Sequence, residues 1–206
     1  LEPLYQAAGE WEKLTNVLEA ELSHLTEADA RVAMFHRLAE LHEDQLLSPE
    51  GALAVYVRAL KELPNEPRTR DDVERLAGAV EQGWEQLANA YADVLGLHAD
   101  PAVQAAMGKR LARVFEEELA DVAKAEETYR YVLGVDPLDT EALGHLDRIY
   151  TSIEQYPELA QVLEQRVRAT AEPYELVELY GRLGELYEVR LNQPDEAIVA
   201  FKRIFE

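Results

Sequence analysis

The side chains able to do chemistry are few and badly spaced for it. His24, His36, His42, His98 and His145 form neither the His-Glu-x-x-His pair that holds zinc on one helical face nor any other ligand spacing. The chain has no Cys, which excludes thiolate metal sites and disulfides. Glu116-Glu117-Glu118 could supply paired carboxylates for acid–base work, but neighbours along a helix point in different directions, so the run reads as a solvated face. Asp136-Pro137-Leu138-Asp139 is too short for a calcium loop of roughly 12 residues. Neither a Gly-rich phosphate loop nor a Gly-x-Ser-x-Gly elbow occurs. No catalytic, cofactor or metal residue is assigned, and a protein that is not an enzyme is expected.

The elements that carry these residues repeat. Trp11, Leu14 and Leu18 return at Trp84, Leu87 and Tyr91, and again at Tyr156, Leu159 and Leu163. Met34, Leu38, Leu41, Ala52 and Tyr56 are echoed by Met107, Leu111, Val114, Ala125 and Tyr129, then by Leu179, Leu183, Leu186, Ala197 and Phe201. The shifts are 73 (Trp11 to Trp84) and 72 (Trp84 to Tyr156) residues. Each period holds two similar halves, an apolar helix, a tight turn and a second apolar helix, so the unit is a helical hairpin. His42 aligns with Phe115 and Tyr187 and reads as a packing residue, as do Trp11, Trp84 and Tyr156; Gly9 and Gly83 shape hairpin turns. The 3.6-residue spacing predicts helices over 1–8, 10–25, 28–46, 49–63, 68–82, 84–97, 101–119, 121–134, 138–153, 156–170, 172–191 and 194–206. Ser48-Pro49-Glu50 and Gln193-Pro194-Asp195 are helix starts. Asp136-Pro137 and Pro64-Asn65-Glu66-Pro67 are stops. The expected fold is all-α, an α-solenoid of stacked antiparallel hairpins with about 12 helices.

Charge narrows the partners. Forty-one Asp and Glu against 20 Lys and Arg give a formal charge of −21, which disfavours nucleic acid and anionic membranes and favours basic partners on the outer surface. No apolar run reaches about 18 residues, so no membrane insertion is expected. Leu1-Glu2-Pro3 lacks a signal-peptide layout and an initiating Met, and the chain reads as a piece of a longer protein. A soluble protein is expected; the compartment stays open, leaning to the cytoplasm.

Tyr180-x-x-Leu183-Gly184-x-x-Tyr187 followed by Ala197-x-x-x-Phe201 resembles the tetratricopeptide repeat signature. Phe35-x-x-Leu38-Ala39-x-x-His42 with Ala52-x-x-x-Tyr56, and Leu111-Ala112-x-x-Phe115 with Ala125-x-x-x-Tyr129, are similar to the same template. A small residue at Ala39, Ala112 or Gly184 lets the two helices of a hairpin approach, while the aromatic four places after Ala52, Ala125 or Ala197 fills the gap to the next hairpin. The intervening hairpins depart from the pattern: Leu143-x-x-Leu146-Asp147-x-x-Tyr150 with Leu159-x-x-x-Leu163 replaces both small positions, and Arg70-x-x-Val73-Glu74-x-x-Ala77 is weaker still. The resemblance implies a single right-handed superhelical array of six hairpins, over 1–26, 27–65, 66–99, 100–136, 137–171 and 172–206.

The same resemblance implies a concave wall of first helices that binds a protein or peptide segment. Carrying over the positions that flank the Leu-small pair gives His36, Arg37 and Glu40, then Lys109, Arg110 and Arg113, then His145 and Arg148, then Arg182 and Glu185. The recurrence of Arg37, Arg110 and Arg182 suggests a positive stripe that takes an acidic segment. The alternative is that these arginines form salt bridges within their own repeats, with Glu40 and Glu185 three residues on. Capture of a terminal carboxylate, as in chaperone-binding relatives, lacks its amides, because Asn16, Asn65, Asn89 and Asn192 fall on second helices or turns. Two functions remain: a recognition module, or an architectural spacer within a longer solenoid. Leu1, Leu4, Tyr5, Ile198, Phe201, Ile204 and Phe205 leave both ends without polar caps, which predicts self-association there. The Leu/Ala/Glu/Arg bias looks like that of long bacterial scaffolds of this kind.

Overall fold

The computed structural model describes residues 1–205. Among them are twelve α-helices and no strand: α1 Glu2–Ala8, α2 Trp11–His24, α3 Ala28–Asp44, α4 Pro49–Glu62, α5 Pro67–Ala77, α6 Gly83–Leu97, α7 Pro101–Arg113, α8 Val122–Val135, α9 Thr140–Ser152, α10 Tyr156–Ala169, α11 Pro173–Glu185 and α12 Pro194–Arg203. They form two compact units, Leu1–Val103 and Gln104–Glu206, each an all-α solenoid of antiparallel hairpins.

Helix starts follow local chemistry. Proline occupies the first turn of α4, α5, α10, α11 and α12, where its missing N–H costs nothing. The Ser48 hydroxyl accepts from the Gly51 N–H at 3.1 Å, and the Asp121 and Asp139 carboxylates cap α8 and α9 in the same way at 3.0 and 2.9 Å. Pro67 therefore opens a helix as well as ending the segment before it.

Each hairpin turn contains one residue in the left-handed region: Gly9, Leu47, Gln82, Ala120, Glu154 and Asn192. Those positions recur with the sequence period. After α7 the chain widens into a π-turn, Val114–Glu118, and after α11 into another, Leu186–Arg190. The Leu119 N–H then bonds the Val114 carbonyl and the Asp121 N–H the Phe115 carbonyl; Leu191 with Leu186 and Gln193 with Tyr187 repeat the arrangement, as do Leu46 with Leu41 and Ser48 with His42. The widened turn satisfies the last carbonyls of the first helix with the N–H groups that lead into the second. The helix expected over 68–82 instead ends at Ala77, because Gly83 approaches the Ala77 backbone so closely that a Cβ would overlap it. The helix expected over 194–206 ends at Arg203, with Glu206 outside the described residues.

In the first unit Leu18, Phe35, Leu38, Leu53, Tyr56, Leu60, Leu76 and Leu87 are essentially inaccessible. In the second, Met107, Tyr129, Leu143, Leu146 and Leu163 form the equivalent core. Each such side chain contributes roughly 1.5–3 kcal/mol by leaving water. Buried phenols find carboxylates: Tyr91 donates to Glu74 at 2.7 Å, Tyr129 to Glu116 at 3.0 Å and Tyr150 to Glu126 at 3.0 Å, and the half-buried Tyr187 donates to Glu164 at 2.7 Å. Burial pushes the Tyr129 and Tyr150 hydroxyls well above the ordinary tyrosine range, which keeps them donors.

Candidate functional site

The first helix of each hairpin buries one arc and opens another. In α9 the buried arc runs through Ala142, Leu143, Leu146, Asp147, Ile149 and Tyr150, which leaves Glu141, Arg148 and Thr151 exposed and Gly144 half-buried between them. In α11 the matching positions are Glu178, the half-buried Gly181 and Glu185, continued by Glu188 in the π-turn that follows, with Tyr174 (92% exposed) and Val177 (46%) beginning the same face.

The basic residues expected to line this face are tied to neighbouring hairpins. In the first unit Arg37 pairs with Glu2 of α1. Glu40, three residues on, accepts instead from Arg68 of α5 at 2.7 Å. His36 lies below the surface: its Nε2 is 3.0 Å from the Thr69 hydroxyl, its Nδ1 is 3.7 Å from Asp72, and Tyr56 packs edge-on against its ring. Burial lowers its pKa, favouring the neutral ring.

The second unit repeats the theme. Lys109 reaches Asp139 at 2.9 Å and Glu141 at 3.0 Å, and Arg113 lies 3.8 Å from Glu141. Arg110 is half-buried on the same helix. His145 stacks on Tyr129 with ring centres 4.7 Å apart, and its Nδ1 is 2.7 Å from both Glu116 and Arg148. That nitrogen donates to the first or accepts from the second, so its tautomer decides which contact is a hydrogen bond. Arg148 also reaches Glu116, at 3.4 Å. Arg182 grips Asp147 with two bonds of 2.6 and 2.7 Å, and Arg166 of α10 adds a third of 2.5 Å. Burial alone would raise the Asp147 pKa; the two guanidiniums outweigh it and hold the carboxyl below its usual range. Glu185 and Glu178 are exposed and, among the described residues, have no ion pair.

Two structurally central residues escaped the sequence reading. Glu116 was expected on a solvated face, yet it joins Tyr129, His145 and Arg148. The signal was present as a recurring pair: Glu43 with Arg75 lies one period before Glu116 with Arg148, and is bonded twice, at 2.9 and 2.8 Å. Asp147 stood out only as a departure from the small-residue pattern; burial and two arginines make it a joint between hairpins.

Two glycines lie in the open arcs at matching register. A Cβ added at Gly144 or Gly181 would meet nothing within 4 Å. Gly184 differs, since a Cβ there would run into the Phe201 ring. Packing explains Gly184 and does not explain Gly144 or Gly181. No helix among the described residues is long and apolar enough to cross a membrane, and no group of three or more His, Asp or Glu is arranged to hold a metal ion.

Residues 142–178 match the family model described as Tetratricopeptide repeat. The match falls on α9, α10 and the start of α11, the hairpin whose small positions are replaced. No curated protein matches the chain. Among solved structures the chain is similar to PilF of Pseudomonas aeruginosa, at 17% identity over 100% of this chain and 89% of that one, with a TM-score of 0.47. It is also similar to MamA of Desulfovibrio magneticus RS-1, at 18% identity over 84% and 92% with a TM-score of 0.44. BtubC from P. vanneervenii is a third, at 17% identity over 95% and 87% with a TM-score of 0.42.

Proposed function

We propose that this tetratricopeptide-like protein is a non-enzymatic protein–protein interaction scaffold, and that in its second unit the open arcs of α9 and α11 take a partner segment. The observation that carries the reading is the pair Gly144 and Gly181. Glycine inside a helix costs roughly 0.5–1 kcal/mol relative to alanine, and here that cost brings no packing gain. A bare backbone on two adjacent open arcs gives a partner's main chain room to approach.

The chemistry of the partner follows from what remains unpaired. Arg37, Lys109 and Arg182 are held by carboxylates of neighbouring hairpins, whereas Glu178 and Glu185 stay open beside Tyr174 and Val177. A segment with apolar and basic side chains suits this face better than an acidic one. A second reading, an architectural spacer, draws support from the same inter-hairpin ion pairs, since they stiffen the stack whether or not anything binds.

The test substitutes Gly144→Gln and Gly181→Gln together. Open space above both glycines predicts unchanged or slightly raised thermal stability. Partners captured from source-cell lysate by the unaltered protein should be lost with the variant. Capture that persists undiminished would move the weight to the spacer.

A further inference from the structure

Successive hairpins meet in a repeated way, and the repeat shows what each open face lacks. In the first unit α5 and α6 both pack on α4; in the second, α9 packs on α8. The left-handed turn residues Gly9, Gln82 and Glu154 put α1–α2, α5–α6 and α9–α10 at one register. The pair α1–α2 is therefore a hairpin of the kind that follows α4 and α8.

Helix α12 belongs with α4 and α8. A shift of 145 residues carries Leu53 onto Ile198, Tyr56 onto Phe201, Ala59 onto Ile204 and Leu60 onto Phe205. All four α4 residues are buried, whereas Ile198 is 51% and Phe205 88% exposed. The helices before them correspond, α2 with α10 and α3 with α11, so the cover that α12 lacks among the described residues is the one that α5 and α6 give α4.

The pair α1–α2 shows the other half of the junction. The same shift carries Leu1 onto Leu146, Leu4 onto Ile149, Tyr5 onto Tyr150 and Val17 onto Val162. Those residues of α9 and α10 are buried, whereas Leu1 is 77% and Leu4 69% exposed, with Tyr5 and Val17 half-buried. On the side of the next hairpin the two agree, since Arg37 of α3 pairs with Glu2 as Arg182 of α11 pairs with Asp147. The cover missing from α1–α2 is the one that α8 gives α9.

We propose that a second copy of this chain supplies both covers: α1–α2 of one copy seats on α12 of another, as α5–α6 seats on α4 within one copy. Counterparts fix the register. Tyr150 donates to Glu126 at 3.0 Å between α9 and α8, which sets Tyr5 of one copy against Ile198 of the next. Two different faces meet, so the contact is heterologous and each copy keeps one face for a further copy. Apolar side chains drive it, while the charge of −21 on each chain opposes it, so added salt strengthens the association. Both faces lie apart from the arcs of α9 and α11, and the association does not depend on a partner bound there.

Sedimentation velocity of the whole chain tests this. Masses should rise with concentration past two copies of 23.3 kDa, and further at higher salt. Leu4→Asp closes the α1 face and Phe205→Asp the α12 face; both sites are exposed, so circular dichroism should not change. Each variant alone should lose association by more than about tenfold, and the two mixed should form a dimer and stop there. Ile198→Glu restores the Glu126 position opposite Tyr5, with Lys202 four residues on where Arg130 stands 3.7 Å from Glu126, and should leave association intact. A single-copy mass up to about 1 mM overturns the proposal. So do dimers of either variant alone, a mixture that stays monomeric, weakening by salt, or loss of association on Ile198→Glu.

Discussion

Glu40 of the first unit accepts from Arg68 at 2.7 Å; one period later Arg113 faces Glu141 at 3.8 Å. The two pairs join successive first helices at the same register with their signs exchanged. The second contrast is at the small position: Ala39 is fully buried beside its neighbour helix, whereas Asp147 is equally buried and carries Arg166 and Arg182. The repeat therefore preserves complementarity between neighbouring hairpins rather than particular residues. A close approach of two helices and an ion-paired spacer are alternative solutions to the same joint.

The largest break in this comparison is Asp147→Ala. It restores the small residue that the other hairpins use, yet it leaves two arginines directed at a void, and a loss of about 2–3 kcal/mol in denaturant unfolding is expected once partial rehydration of the arginines is allowed for. Because the folded pKa of Asp147 lies below its unfolded value, its contribution is complete above about pH 4 and is lost as pH falls through the lowered folded value. An acid titration of Asp147→Asn should lack that component.

Gly184→Ala should cost about 1–2 kcal/mol, because the new methyl meets the Phe201 ring, whereas Ala39 and Ala112 already accommodate a Cβ at the same register. Gly181→Ala, three residues away in an open arc, should raise the midpoint instead, and equal effects of the two changes would remove the distinction between packing and open glycines.

His42 sharpens the contrast with Phe115 and Tyr187. Its Nδ1 is buried without a partner and burial lowers its pKa. The folded state prefers the neutral ring, so stability should fall as pH drops below about 6.5, by at most about 1.4 kcal/mol per pH unit from this group. His36 behaves likewise. His42→Phe should flatten thermal midpoints between pH 7 and 5 in part, and an unchanged slope would assign the effect elsewhere.

The smallest expected effect belongs to the exchanged pair. Arg113→Glu should cost under about 1 kcal/mol, since both side chains of the pair are about 40% exposed, and adding Glu141→Arg should recover only part of it, because Lys109 then loses its 3.0 Å contact with Glu141.

The fold was legible because it is local. Leu14, Leu38, Tyr56, Leu87 and Tyr129 recur at helical spacing, and Pro, Gly and capping Asp or Ser punctuate them, so each hairpin is written within a few dozen residues. Even the left-handed turn residues recur in register, although Leu47, Gln82 and Ala120 carry none of the side chains that announce such a turn. The end of α5 was missed because a close approach of Gly83 to Ala77 decides it.

The candidate surfaces were legible only as far as register. Sequence placed Arg37, Lys109 and Arg182 on first helices, and it could not tell which carboxylates they face, since the partners Glu2, Asp139 and Asp147 belong to other hairpins. What the sequence by itself determined is the hairpin, its period and its buried stripe, all of which follow from spacing along one chain. The tertiary structure alone decided which charges are consumed between hairpins and which glycines face open space, because each depends on distances between segments tens of residues apart.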